Sequence, residues 1–290
     1  MKKLLTFLLA VALLVGTASL TGCVREGGTT PAPVVTPAAG EESELEVTFL
    51  QAGKADAILL TTPNSAVVID CGVKGFGQTI LDALAEKGID RIDTLIITHF
   101  DQDHLGGAAK VINNIPVITV LQNNCPKDST EYEKYIKALN NAGLEAVTVS
   151  ETLTFTLDGV TYTVDPPHSA TYQSDKSNNS SLVVTVTHGE NTFLFTGDAQ
   201  TERIEELLES GIGTCDVLKL PHHGEEEPLT QALLSAVQPK YAVITSSEEE
   251  PEAASTLAAL AQAGTETYLT REGTVVIQSN GTNLTVIQSG

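Results

Sequence analysis

The chain has 290 residues and is strongly acidic, with 16 Lys and Arg against 37 Asp and Glu and a formal net charge of −21 at pH 7. This balance argues against a protein that coats nucleic acid or lies on anionic lipid, because both roles depend on a basic surface. Hydrophobic residues make up 41% of the chain, which is typical of a globular protein. The four cysteines are too few and too scattered for a disulfide framework or a paired-cysteine metal site.

Residues 1–22 have the layout of a secretory signal peptide. Lys2 and Lys3 precede an apolar run over residues 4–14, and small residues follow up to Cys23. A transmembrane anchor is the alternative, but the run is shorter than the roughly 20 residues that span a bilayer. The Leu-Thr-Gly-Cys ending resembles the lipobox of bacterial lipoproteins, which implies cleavage after residue 22 and lipidation of Cys23. We therefore expect an extracytoplasmic protein that this lipid anchors to the bacterial membrane.

Residues 23–43 hold the lipidated cysteine and a stretch rich in Gly and Pro, which we interpret as a flexible stalk. Residues 44–290 then form the predicted folded domain. Its three cysteines, Cys71, Cys125 and Cys215, have no close spacing and are interpreted as mostly buried small hydrophobic residues.

Strands and helices alternate along the first half of this domain. Runs rich in β-formers lie between Gly, Pro and Asn turns, and stretches of helical spacing end at glycines. The run at 94–98 has a wholly apolar centre, which suits a buried position in a sheet. Predicted strands are 45–50, 57–61, 66–70, 94–98, 117–121, 152–157 and 160–165, and predicted helices are 78–87, 105–113 and 129–142.

A polar loop at 166–180 leads into a comparable second half. A hairpin comes first, then helices and strands in turn, and three short strands end the chain. Because no linker separates the halves, the pattern favours one two-layered α/β domain over two separate modules. Predicted hairpin strands are 181–187 and 192–196, later strands are 216–220 and 241–245, and helices are 201–210, 229–237 and 253–263.

The most informative segment is Thr-His-Phe-Asp-Gln-Asp-His-Leu-Gly-Gly at 98–107, which follows the buried strand. Ligand sites of α/β sheets gather at such strand ends. His99, Asp101, Asp103 and His104 offer four potential ligands within six positions, which suits two adjacent metal ions that share a water. A helix-capping loop with Asp103 or His104 as N-cap is the alternative. It explains the two aspartates but not the flanking histidines.

Three further strand ends carry polar side chains of the same kinds. Asp198 ends one strand and is suited to bridge two metals, and His222 with His223 ends another. Asp70 ends a third and is expected to orient a ligand histidine. Each has an ordinary structural explanation by itself, because Gly-Asp is a common turn and a lone histidine is usually structural.

In this order the motifs resemble those of the metallo-β-lactamase-fold hydrolases, over essentially all of the chain from Leu45. The branch that holds the hydrolase domain of the ComEC competence protein is the most similar, with its motifs matched at 51–57, 98–107, 178–182 and 218–224. The resemblance implies a four-layer αββα sandwich. It also implies two divalent metal ions, zinc or manganese.

Carried over by position, one metal takes Asp103, His104, His223 and a bridging Asp198. The other takes His99, Asp101 and the same Asp198. Many family members have histidine where Asp101 stands, and no histidine is present near Asn179 at the start of its strand. We therefore expect an oxygen-rich, weaker second site that favours Mn²⁺ or a loosely held Zn²⁺.

Several residues around the ligands receive roles on the same basis. Asp70 and Asn179 are expected to lie behind the ligands, and Asp103 and His222 to be catalytic, with His222 protonating a leaving group or holding a phosphate oxygen. His168 is an alternative ligand, although a loop histidine beside prolines is more often exposed. We interpret His188 as solvent-facing and Lys219 as structural, with a charge at the site as the alternative for Lys219.

The implied chemistry is hydrolysis by a metal-bound hydroxide, most readily of a phosphodiester in a nuclease or a phosphoesterase. Acidic residues at 225–227 and 246–252 disfavour extended nucleic acid as substrate, because they place negative charge where a polyanion approaches. A lipid-anchored binding protein without turnover and a thiol-ester or other ester hydrolase are the alternatives. β-Lactam hydrolysis is disfavoured by Asp101 and the absent third histidine.

Overall fold

The structure, a computed structural model, describes residues 44–169 and 171–289. The predicted signal peptide (1–22), Cys23 and the stalk up to residue 43 lie outside the described residues, so these expectations stay predictions. Among the residues that are described, no helix has both the length and the apolar character needed to cross a bilayer.

An eight-stranded mixed sheet forms in the first half of the domain and takes its last two strands from the C terminus. Its strand order is β15-β14-β1-β2-β3-β4-β5-β6. The pairs from β15 to β3 are antiparallel, and those from β3 to β6 are parallel. The strands are β1 Leu45–Phe49, β2 Ile58–Thr61, β3 Ala66–Ile69, β4 Ile92–Ile97, β5 Val117–Gln122, β6 Val147–Thr148, β14 Val275–Ser279 and β15 Leu284–Gln288.

A seven-stranded sheet forms in the second half and faces the first. Its order is β13-β12-β11-β10-β9-β8-β7, antiparallel from β7 to β10 and parallel from β10 to β13. The strands are β7 Leu153–Leu157, β8 Val160–Asp165, β9 Val183–His188, β10 Asn191–Phe195, β11 Val217–Lys219, β12 Tyr241–Ile244 and β13 Glu266–Leu269.

Helices cover the outer faces of both sheets. Those before residue 145 pack on the first sheet, and those after residue 200 pack on the second. The helices are α1 Gly77–Glu86, α2 Gln102–Leu105, α3 Ala108–Ile112, α4 Thr130–Ala142, α5 Lys176–Asn179, α6 Thr201–Glu209, α7 Thr230–Val237 and α8 Ala254–Ala263, with 3-10 turns at Pro221–Gly224 and Thr270–Glu272.

Alternation along the strands builds three separate apolar layers. In β3, Val67 and Ile69 face the second sheet, whereas Val68 between them faces the helices. Phe49 and Phe195 stack across the sheet-to-sheet interface with ring centroids 5.9 Å apart. The described domain is therefore a four-layer αββα sandwich, as the family resemblance predicts, rather than the two layers that the pattern of elements alone indicates.

The predicted helix at 105–113 is instead two short helices, because Gly106 and Gly107 pack directly on another backbone segment. A Cβ on Gly107 would lie 2.2 Å from the carbonyl oxygen of Cys71, and one on Gly106 would lie 2.3 Å from the amide nitrogen of Lys74. Only glycine permits this approach. It holds the His99–His104 loop against the segment that follows β3.

Candidate metal centre

The predicted metal ligands follow the carboxyl ends of parallel strands in both sheets. β4 leads into the loop with His99 and His104, β10 ends before Asp198, and β11 ends before His223. Since the sheets face each other, these ends meet at one edge of the sandwich. One ligand atom each from Asp103, His104, Asp198 and His223 lies within 4.8 Å of the others.

One carboxylate oxygen lies between two imidazoles at this centre. Asp198 Oδ2 is 3.2 Å from His104 Nε2 and 3.1 Å from His223 Nε2. Asp103 Oδ2 lies 3.2 Å from His223 Nε2 and 3.8 Å from His104 Nε2. Ligand atoms bound tetrahedrally at about 2.1 Å would be roughly 3.4 Å apart, so these spacings suit one small divalent ion.

His104 and His223 are each held through the ring nitrogen that faces away from the centre. His104 Nδ1 lies 2.8 Å from Asp70 Oδ2, and His223 Nδ1 lies 3.0 Å from the carbonyl oxygen of Thr245. Because these oxygens accept, Nδ1 donates its proton in both rings and the Nε2 lone pair is left for a metal. This is the position that the sequence predicts for Asp70.

Asp70 itself is fixed by the loop that it supports. It accepts hydrogen bonds from the Thr98 amide at 2.8 Å and from the Thr98 hydroxyl at 2.6 Å. Its backbone has φ 58°, and His222 and His223 have φ 49° and 52°. Such left-handed conformations in non-glycine residues cost energy and cluster at functional sites.

The orphaned polar atoms indicate that the centre fits a metal. Five buried side-chain atoms lack a hydrogen-bond partner within the described part of the chain, and three of them are His99 Nε2, His104 Nε2 and Asp198 Oδ1. A buried polar atom left unpaired costs about 1–3 kcal/mol. Imidazole nitrogens and carboxylate oxygens are ligands for Zn²⁺ or Mn²⁺, and a bound ion would satisfy them.

The electrostatics of the three histidines differ sharply. Burial lowers the pKa of His223, but Asp198 and Asp103 outweigh it and raise this pKa to about 9. Burial opposes the carboxylates at His104 too, and they raise its pKa well above the usual 6.5. Burial and the neighbouring His104 lower the pKa of His99 to about 3. The carboxylates thus draw positive charge to His104 and His223, but not to His99.

The predicted second site is less complete. His99 Nε2 lies 4.0 Å from Asp101 Oδ1. That oxygen also accepts a hydrogen bond from Lys127 Nζ at 2.6 Å and one from the Ser177 hydroxyl. Two of its three predicted ligands therefore lie near each other, and one of these is already paired with a cation.

Lys219 corrects a sequence-based interpretation. It is completely buried, and its Nζ lies 2.5 Å from Asp56 Oδ2 and 3.5 Å from Asp198 Oδ1. It supplies positive charge behind the predicted bridging carboxylate, which is the alternative that the sequence analysis disfavours. The signal in the sequence for this role is its position, because Lys219 ends a buried strand three residues before His222.

Asp56 and Thr245 are further parts of the site, to which no sequence-based role was given. Asp56 Oδ1 accepts the Thr245 hydroxyl proton at 2.6 Å, and Thr245 in turn contacts His223 Nδ1. Asp56 lies within the 51–57 motif that supports the family resemblance, and this motif is the signal that points to it. Thr245 follows β12, whose end meets the other strand ends.

Asn179 does not lie behind the ligands, contrary to the prediction. Its side chain accepts from the Arg203 amide at 3.0 Å and donates to Ser174 Oγ, so it joins the 166–180 loop to α6. Ser181 takes the expected place. Its hydroxyl oxygen accepts from the Asp198 amide at 3.1 Å and lies 3.4 Å from His99 Nδ1.

The remaining histidines separate into one at the rim and two elsewhere. His222 Nδ1 lies 3.2 Å from Glu227 Oε1, and its side chain is 15% exposed beside the buried His223. His168 is exposed and pairs with Asp165 at 3.2 Å. His188 is only 3% exposed and contacts Ser279 Oγ at 2.8 Å, so the solvent-facing interpretation is wrong.

Cations offset part of the acidic rim. Glu225 pairs with Lys54 and lies 3.7 Å from His222 at the rim of the centre. Arg271 binds Glu248 at 2.8 Å and Glu252 at 3.3 Å in the later acidic segment. The entrance is therefore less negative than the sequence suggests.

Comparisons with known proteins agree with this geometry. Residues 50–246 match the Metallo-beta-lactamase superfamily. ComE operon protein 3 of Bacillus subtilis (strain 168) is 29% identical over 225 residues, which cover 70% of this chain and 28% of that protein. Competence protein ComA of Neisseria gonorrhoeae is 31% identical over 213 residues, which cover 72% of this chain and 28% of that protein. The chain thus spans about a quarter of the length of the curated relatives that it matches.

A solved structure supports the fold. The metallo-beta-lactamase fold protein YhfI from Bacillus subtilis aligns with a TM-score of 0.56 at 13% identity, covering 82% of this chain and 100% of that chain. The resemblance to the branch of the ComEC competence protein is confirmed by the two relatives. More than half of the chain matches one family, and that match agrees with the four layers and the ligand cluster. The chain belongs to the metallo-beta-lactamase superfamily.

Proposed function

We propose that this protein hydrolyses phosphodiester bonds. That it is a metal-dependent hydrolase follows from its family and from the cluster of Asp103, His104, Asp198 and His223. The choice of bond is the proposed part. The observation that carries the metal-dependent chemistry is Asp198 Oδ2, held between two imidazoles whose far nitrogens are fixed by the protein. The phosphodiester is chosen because adjacent divalent ions neutralise the charge that develops on its phosphoryl oxygens.

When bound, divalent ions supply a water nucleophile of lowered pKa and neutralise charge that develops on phosphoryl oxygens. Asp70 and Thr245 keep the two imidazoles oriented towards that position. Asp103, whose side chain is 31% exposed, is the ligand on the side of the substrate. His222 lies at the rim between Glu227 and Asn178, where it is placed to give a proton to a leaving oxygen.

The charge of the chain favours a compact phosphodiester over extended nucleic acid. Long nucleic acid would need many phosphate contacts from Lys and Arg, and the chain has 16 of these residues against 37 acidic ones.

Turnover of bis(p-nitrophenyl) phosphate by the purified protein, with Mn²⁺ or Zn²⁺ and with metal content measured in parallel, tests the proposal. We expect one to two bound metals and turnover that disappears in Asp198→Ala/His223→Ala. Glu133→Ala, which removes an exposed carboxylate on α4, is the matched control. Hydrolysis of a thiol ester but not of the phosphodiester would contradict the choice of bond. Absence of metal and of any turnover would leave a binding protein.

We further infer that the protein is exported and anchored by a lipid on Cys23. The Lys2-Lys3 start, the apolar run and the Leu-Thr-Gly-Cys ending support this inference. Mass spectrometry of the mature N terminus should find a lipidated Cys23, and Cys23→Ala should release the protein from the membrane fraction. An intact residue 1 on the membrane-bound form would contradict it.

A further inference from the structure

Asp101, a predicted ligand of the second metal site, already binds a cation through the oxygen that faces this site. Its Oδ1 accepts from Lys127 Nζ at 2.6 Å and from the Ser177 hydroxyl. The same Oδ1 lies 4.0 Å from His99 Nε2. A metal bound by His99 and Asp101 and the ammonium of Lys127 would therefore meet at one oxygen.

The two metal sites differ in this respect. The oxygens of the first site, Asp103 Oδ2 and Asp198 Oδ2, face the Nε2 atoms of His104 and His223. Two other carboxylate oxygens of the predicted ligands instead lie beside lysines. Lys127 contacts Asp101 Oδ1, and Lys219 Nζ lies 3.5 Å from Asp198 Oδ1.

The two lysines are not equally free to move. Lys219 is completely buried and held by Asp56, so its charge is permanent. Lys127 is 40% exposed and lies on the irregular segment between β5 and α4. Its ammonium can therefore move into solvent when another cation takes Asp101. Like charges that share one oxygen repel each other, so each of the two cations weakens the binding of the other.

We propose that Lys127 competes with the second divalent ion for Asp101 and thereby sets the affinity of the second site. The protein then holds one ion tightly at Asp103, His104, Asp198 and His223. A second ion binds only when its concentration suffices to displace Lys127. The proposal rests on the metal centre described under the proposed function and assigns its unequal affinities to one residue.

Mn²⁺ binding to the chelator-stripped protein tests this proposal without any measurement of activity. Free Mn²⁺ is counted by electron paramagnetic resonance, and stepwise affinities come from calorimetry. For the unaltered chain we expect one tight and one weak site. In Lys127→Met the second site should tighten at least tenfold, and the first should stay within threefold. Asp101→Asn in the Lys127→Met background should abolish the gain.

Lys176→Met is the matched control. It removes the same charge next to Ser177, but Lys176 makes no ion pair with Asp101 among the described residues. The second-site affinity of this variant should stay within threefold of the unaltered chain. If the first site of Lys127→Met stays tight and the affinity of its second site is unchanged, the proposed role of Lys127 is wrong and the metal centre still stands. If the unaltered chain has no tight Mn²⁺ site that Asp198→Ala abolishes, the metal centre is wrong, and the role of Lys127 is wrong with it.

Discussion

The metal centre has two halves, the first site with Asp103, His104, Asp198 and His223 and the second site with His99 and Asp101. They differ in what holds their ligands. His104, His223 and Asp198 are buried, and buried partners such as Asp70 and Thr245 hold the two imidazoles. Asp101 lies nearer to the surface and is held by the partly exposed Lys127. Burial fixes the first half before any ion arrives, whereas in our proposal Asp101 exchanges Lys127 for an ion. On that proposal, unequal metal affinity arises from what surrounds the ligands rather than from the ligands alone.

The largest effect on stability is expected at the buried ion pair of Lys219 and Asp56. Lys219→Met should lower the free energy of unfolding by about 3–5 kcal/mol, because it leaves Asp56 as an uncompensated buried charge. Urea denaturation of the metal-free protein measures the change. Asp56→Asn/Lys219→Met should recover most of the loss, and a double variant as unstable as the single one would argue against the pair.

The next largest effect is expected from pH, which should change the stability of the metal-free protein through His223 of the first half. The pKa of His223 is raised to about 9, so in the metal-free protein its stabilising effect is complete below pH 6.5 and is lost as the pH rises through 9. A tenfold difference in proton affinity between the folded and unfolded chain corresponds to about 1.4 kcal/mol of stability. Metal-free protein should therefore melt at lower temperature at pH 9 than at pH 6.5, and thermal denaturation at the two pH values measures the difference. An equal melting temperature at both would contradict the charged state of His223.

Metal affinity should show the converse dependence. A divalent ion must displace the protons of His104 and His223, so affinity at the first site should fall as the pH falls below 9. His99 binds no proton in this range, because its pKa is about 3. Calorimetry at pH 6.5, 7.5 and 8.5 measures the trend, and a pH-independent first site would contradict it.

Asp70 offers a smaller change that acts on the first half alone. Asp70→Asn should weaken the tight site about 10–100-fold, as expected when the partner of a ligand histidine loses its charge. Asparagine tolerates the left-handed backbone of this position, so the fold should persist. Calorimetry gives the affinity and circular dichroism checks the fold. An unchanged tight site would show that Asp70 is only structural.

The smallest effect is expected at the rim. Glu225→Gln removes the partner of Lys54 and should change the free energy of unfolding by less than about 1 kcal/mol, as is usual for a partly exposed pair. It should lower the KM for an anionic phosphodiester severalfold, because it frees a positive charge at the mouth. Steady-state kinetics with neutral and anionic substrates measure this difference, and an equal change for both would contradict the electrostatic reason.

Sequence reasoning succeeded where local patterns dictate structure. The apolar run before His99 and the glycines after His104 predicted a loop at a strand end, and the structure places that loop at the centre. It failed where contacts between residues far apart in the chain decide whether a side chain is buried. The sequence places His188 in a hairpin turn, which is usually exposed, but in the structure it ends β9, is buried and contacts Ser279, 91 residues away in the chain. No local pattern contains that information.

The sequence by itself determined the alternating elements, the strand ends that carry ligands and, through its motifs, the family. Those features depend on residues that are close in the chain, where periodicity and turn chemistry act. Only the tertiary structure decided that Lys219 faces Asp56 and that Lys127 reaches Asp101, because residues far apart in the chain meet when separate strands or loops pack. The charge of each ligand depends on such packing, since a buried carboxylate keeps its charge only beside a cation that the fold brings to it.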